Sequence, residues 1–142
     1  MHQQKGISLL EIVIAVGLIS IILLALVSVS TKSISNTTYS RERNQASRYS
    51  QEAVEWLRSQ RDLGWSAFYV YVDSSDTWCL DTLSWTNSGA CSGRMIANTN
   101  LVREVEFTTP EQGVVEVKVT VTWVDAGNTN ESVSETVLTK WQ

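Results

Sequence analysis

Between Ile7 and Val29 the chain runs for 23 residues with one charged side chain, Glu11. As a helix this run is about 34 Å long, enough to cross a bilayer's hydrocarbon core. No other feature restricts the fold so strongly. A chain of 142 residues that spends this much apolar content in one segment is left with a modest core elsewhere. The run is longer than the apolar stretch of a cleaved secretory signal, and the flank Ser28-Val29-Ser30-Thr31-Lys32-Ser33 lacks an A-x-A-like site. A retained anchor is therefore expected. Lys5 is the firm positive charge ahead of the run. It places the N-terminus in the cytoplasm and everything after Thr31 outside, as a single-pass membrane protein.

Glu11 conflicts with that setting, since a carboxylate near the middle of a membrane helix costs about 2.5–3.5 kcal/mol on insertion scales. Lying only about 6 Å into the run, it has the option of reaching back to the headgroups, although its side chain is shorter than the Lys and Arg that do so well. The residues before it offer a different role. Lys5-Gly6-Ile7-Ser8-Leu9-Leu10-Glu11 resembles the processing site of type IV prepilins and type II secretion pseudopilins. These have a short basic leader, a glycine, and a hydrophobic helix whose fifth residue is glutamate. The resemblance implies that a prepilin peptidase cuts after Gly6 and that Ile7 becomes N-methylated. It also implies that Glu11 pairs with the terminal amine of a neighbouring subunit as helices bundle into a filament. Glycine suits the cut because a backbone without a side chain enters a tight cleft. Cleavage creates the cation that a carboxylate buried in oil requires. Ile7 departs from the family's usual phenylalanine, and the run lacks the proline of many major pilins, which favours a minor subunit.

Past the run the sequence turns polar, and Thr31 to Tyr39 is compatible with either continuous helix or a softened join. Ala46, Tyr49, Ala53, Trp56 and Leu57 then recur at helical spacing, with Arg41, Glu42, Arg43, Arg48, Glu52, Glu55, Arg58 and Arg61 on the remaining faces. Gly64 is the expected stop. The stretch from Glu52 to Asp62 more loosely resembles the end of the long helix in PilV-like minor pilins.

The period changes to two near the C-terminus. Val115, Val117, Val119, Val121 and Trp123 alternate with polar residues and predict a strand with one apolar row. Leu101–Phe107 is its expected hairpin partner across a turn from Thr108 to Gly113. A third strand is expected where Val133, Glu135, Val137, Thr139 and Trp141 alternate, after a turn spanning 125–130. Such a sheet needs a cover, and the amphipathic helix is the one long element available. The expected fold class is α+β, a pilin-like arrangement of a long N-terminal helix on a C-terminal antiparallel sheet. The expected segments are a leader (1–6), a transmembrane and assembly helix (7–29), its amphipathic continuation (30–64) and an exported β-rich region with a disulfide loop (65–142).

In the irregular stretch between helix and sheet, Ala67–Val72 has the composition of a short strand. Cys79 and Cys91 are the only cysteines, and in an exported domain such a pair is expected to be oxidised, contributing about 3 kcal/mol by loop closure. Trp65, Trp78 and Trp85 are expected to plug the small core around this loop, the alternative being an exposed partner-binding patch. Asp73, Asp76 and Asp81 lack the ordered spacing of a calcium loop, and two thiols are too few for zinc, so no metal or other cofactor is expected. The sequons at Asn36 and Asn130 are short enough to arise by chance.

No exported histidine, free thiol or glycine-rich phosphate loop is present, so nucleophilic, metal and nucleotide chemistries lack their parts. The net charge of −4 is not a nucleic-acid footprint. The expected function is a structural subunit, a minor pilin or pseudopilin. Its expected partners are prepilin peptidase, other pilin or pseudopilin subunits, an inner-membrane assembly platform and membrane lipid. Its expected destination is an extracellular or periplasmic filament. The alternative is a permanently anchored extracellular binding domain that never assembles.

Overall fold

The structure, a computed structural model, describes residues 9–125 and 127–140. Helix α1 covers Leu9–Leu63. The chain divides into two compact units, residues 1–39 and 40–142. Within the first unit every described residue is helical and exposed. The polar stretch after Val29 is regular helix, with no softened join. Its hydroxyls are satisfied within the helix and do not compete for the backbone N–H groups. Ser28, Ser30 and Thr31 donate to the carbonyls of Leu24, Leu26 and Val27, each four residues back, and Thr37 donates to that of Ser33.

In the second unit α1 packs its Ala46, Ser50, Ala53, Val54 and Leu57 inward. Three of these five side chains are small, which lets the helix backbone approach the sheet closely. Leu57 is fully buried, worth about 1.5–3 kcal/mol in apolar transfer. Gly64 ends α1, as expected, and its carbonyl accepts from the Phe68 N–H to begin a second helix, α2, over Trp65–Ser74. Ala67–Val72 is therefore helix, not strand. An apolar run this short satisfies both periods, and burial of Phe68 and Val72, four residues apart, selects the helical one.

Five strands follow: β1 (Thr77–Cys79), β2 (Asn87–Ser88), β3 (Val102–Glu111), β4 (Val114–Asp125) and β5 (Asn128–Thr139). They form one antiparallel sheet in the order β2-β1-β3-β4-β5. β3 and β4 bear out the expected hairpin, but with a tighter turn: the ladder runs on to Glu111 opposite Val114. The register shifts between Thr108 and Glu111, where Pro110 has no N–H to give. Gly113 then turns with φ +84°, a conformation that favours glycine.

The expected third strand exists as β5, and its valines lie on the outer face. Val133, Glu135, Val137 and Thr139 are exposed; Ser132, Ser134, Thr136 and Leu138 turn toward α1. Register with β4 decides this. Ser134 pairs with Val119 and Thr136 with Val117, both in the buried row of β4, whereas Val133 and Glu135 pair with Thr120 and Lys118. Trp141 lies outside the described residues.

The core consists of Ala53, Leu57, Phe68, Trp78, Val105, Phe107, Val117, Val119 and their neighbours, with a satellite of Ala46, Ile96, Leu101, Val121 and Trp123.

Candidate functional site

Two places concentrate the chemistry. The first is the start of α1. Glu11 stands in its first described turn, exposed, among Leu9, Leu10, Ile12, Val13 and Ile14, each more than half exposed. It makes no ion pair among the described residues. Gly6 and Ile7 lie outside the described residues. From Leu9 to Val29 the helix presents apolar side chains on all sides, and every one of these residues is exposed. By length and composition it is able to cross a membrane. A helix apolar all round requires lipid or other helices as its surroundings. Ser20 meets that demand internally by donating to the carbonyl of Val16, so its hydroxyl enters an apolar medium already satisfied.

The second place is the disulfide-closed loop. Cys79 and Cys91 are bonded, with Cα atoms 4.8 Å apart. Adjacent residues of β3 clamp the loop from both sides. Glu104 Oε1 accepts from the Cys91 N–H at 2.5 Å. Arg103 Nε donates to the Leu80 carbonyl at 2.8 Å, while its Nη1 donates to the Tyr49 carbonyl and to Glu52 Oε2. One guanidinium thus joins the loop, the sheet and α1, with the Tyr49 ring 5.8 Å from its centre. Burial lowers the Arg103 pKa from its ordinary value, and the bond and charge of Glu52 oppose that shift. Arg103 escapes sequence reading because strand patterning asks for an apolar residue at its parity. A cation in the inner row is the signal that was there to find.

Around the loop the aromatic residues pack on one another. Trp85 stacks on Tyr71 at 4.6 Å and meets Trp56 at 4.8 Å and Trp78 at 5.3 Å. Phe68 meets Phe107 edge-on at 6.1 Å. Trp78 is buried, and Trp65 and Trp85 are half-buried against the main core, so these rings plug the core as expected. Of the three aspartates near the loop, Asp81 accepts from Asn87 Nδ2, and Asp73 and Asp76 are exposed. They do not converge on a common point with further ligands; among the described residues no His, Cys, Asp or Glu cluster is arranged to hold a metal.

No curated protein and no solved structure matches the chain. The family described as the prokaryotic N-terminal methylation motif matches residues 1–27, the same stretch in which the basic leader, Gly6 and Glu11 precede the exposed apolar helix. The chain carries the N-terminal signal of type IV pilins and pseudopilins, the mark of a pilin-like precursor.

Proposed function

We propose that this chain is a minor pilin or pseudopilin, cut by prepilin peptidase after Gly6, N-methylated on Ile7 and assembled into a filament through α1. One observation carries the reading: the methylation motif coincides with an apolar helix whose described side chains are all exposed from Leu9 to Val29 and which holds a single carboxylate there, Glu11. Lipid satisfies the apolar surface alone. A bundle of like helices satisfies both the surface and the carboxylate, because each cut frees an ammonium at Ile7, four residues before the acid. The assembled state thereby neutralises a charge that the membrane state strands, and assembly gains a driving force beyond side-chain packing. The resemblance to minor pilins, together with the span's lack of proline, supports a minor role over that of the bulk subunit. The N-terminus is cytoplasmic before assembly, the unit from Ser40 onward lies outside, and the inner-membrane assembly platform and other pilins are its partners.

Mass spectrometry of the chain extracted from membranes tests the cut. A mature N-terminus at methylated Ile7 is expected; an intact Met1 in cells that possess the peptidase would overturn the proposal in favour of a permanent anchor. Glu11→Ala tests the pairing. It should insert normally and enter filaments poorly, and normal incorporation would remove the electrostatic role.

A further inference from the structure

The sheet has two faces; one packs on α1, and on the other the Cys91 loop covers only the end at Cys79 and Glu104, leaving Glu106, Thr108 and the outward residues of β4 and β5 largely exposed. The uncovered face consists of cross-strand rows: Glu106–Lys118–Glu135, Thr108–Glu116–Val137 and Val102–Thr122–Glu131. Glu106, Glu116, Glu131 and Glu135 are exposed there, and Lys118 is the one exposed cation among them. Lys118 Nζ donates to Glu106 Oε2 at 3.1 Å, and its pKa is raised, first by that bond and then by the charges of Glu106, Glu131 and Glu135. The field over this face is negative. Three large apolar side chains share it, Val124, Val133 and Val137, at 60%, 41% and 56% exposure. Glu116 stands opposite Val137, and Glu135 is flanked along its strand by Val133 and Val137, two residues away on either side. A carboxylate ringed by isopropyl groups suits arginine, whose stem covers apolar surface while its head pairs with the acid.

The same unit presents arginines of that kind on its opposite side. Arg41 and Arg48 are exposed, and neither enters an ion pair among the described residues. Seven residues apart, they share one helix face, turned away from the row Ala46, Ser50, Ala53 and Leu57 that packs on the sheet. Their Cα atoms are about 10 Å apart along the helix; Glu116, opposite Val137, is the diagonal neighbour of Glu135 on the adjacent strand, about 7–8 Å away, a difference that flexible side chains absorb.

We propose that the outer face of the sheet, centred on Glu116, Glu135, Val133 and Val137, docks the Arg41–Arg48 face of α1 from a second copy of this chain. The two surfaces lie on opposite sides of one two-layer unit, so the contact is head-to-tail: each bound copy still offers a free face, and the series stays open unless its rotation happens to close it. The proposal goes beyond the processing reading and does not depend on it. Contact between exported units is read without reference to the N-terminus, so either idea can fail while the other stands.

Charge reversal on the full chain in detergent provides the test. One variant carries Glu116→Arg and Glu135→Arg; the other carries Arg41→Glu and Arg48→Glu. Each alone should lose salt-sensitive self-association, measured by sedimentation at low ionic strength, by about tenfold or more. An equimolar mixture of the two should associate again, since the reversed sheet face of the first complements the reversed helix face of the second, while the native helix face of the first still complements the native sheet face of the second. Retention of the Cys79–Cys91 bond and an unchanged circular dichroism spectrum would show that both variants are folded. Should one fail to fold, the neutral pair Arg41→Gln and Arg48→Gln replaces it, with a smaller loss expected. No salt-sensitive association of the native chain, or no recovery on mixing, would overturn the proposal.

Discussion

The two halves of α1 obey different rules. Before Tyr39 no described side chain is buried, and the helix rests on its own backbone bonds, its hydroxyls satisfied by carbonyls four residues back. After Ser40 the same helix turns Ala46, Ala53 and Leu57, all fully buried, against a sheet that supplies a complete second layer. The first half has its identity written in a few positions and borrows its surroundings. The second is specified by packing and carries its surroundings with it. Substitutions should therefore separate into those that change where the chain goes and those that change whether the exported unit stays folded.

The sharpest way to break this contrast is a pair of truncations. Phe68→Ala should cost the exported unit about 3–5 kcal/mol in chemical denaturation, because it empties a site walled by Trp65, Trp85 and Phe107. Leu18→Ala, in the exposed run, should leave the same transition unmoved within about 0.5 kcal/mol. A comparable loss from Leu18→Ala would show that the two halves are not independent. Next in size, replacing Cys79 and Cys91 together by serine should cost about 3 kcal/mol and lower the midpoint of unfolding, with membrane insertion unaffected. Smaller still is the seam between helix and edge strand. Ser50 Oγ donates to the Ser47 carbonyl at 2.9 Å and accepts from Ser134 Oγ at 2.8 Å; Ser50→Ala should cost about 1 kcal/mol, and a double-mutant cycle with Ser134→Ala should return a coupling of similar size. The smallest effect belongs to the surface pair Lys118 and Glu106. The raised pKa of Lys118 means that its share of stability is present at neutral pH and is lost only as pH climbs past the range of an ordinary lysine and through the raised value. NMR titration of the amine should show that elevation, and Glu106→Gln should bring it back toward normal.

Against this contrast, what could be read from sequence follows the kind of information each half uses. The run with Glu11 was legible because hydropathy and motif are properties of adjacent residues. The buried row of β4 was equally plain, since Val115 to Trp123 alternate without exception. β5 was legible as a strand, but not in phase, because its valines lie on the outer face. Its inner row is Ser132, Ser134, Thr136 and the buried Leu138, and the hydroxyls of Ser134 and Thr136 meet polar partners on α1, Ser50 and Arg58. The helix at Trp65–Ser74 was hidden by a run too short to distinguish the two periods, and β1 and β2, of three and two residues, exist only as partners of β3 and of each other. Arg103 was invisible for a related reason: its acceptors, at Tyr49, Glu52 and Leu80, are supplied by segments more than twenty residues distant.

The hydroxyl row on β5 bears on how the exported unit responds to force. Where β3 and β4 meet α1, interlocked apolar side chains resist sliding. Along the edge strand Ser132, Ser134 and Thr136 offer few and short contacts, chiefly the bonds to Ser50 and Arg58. A pull along α1 would shear that margin first, so the strand farthest from the disulfide is where this unit should begin to peel.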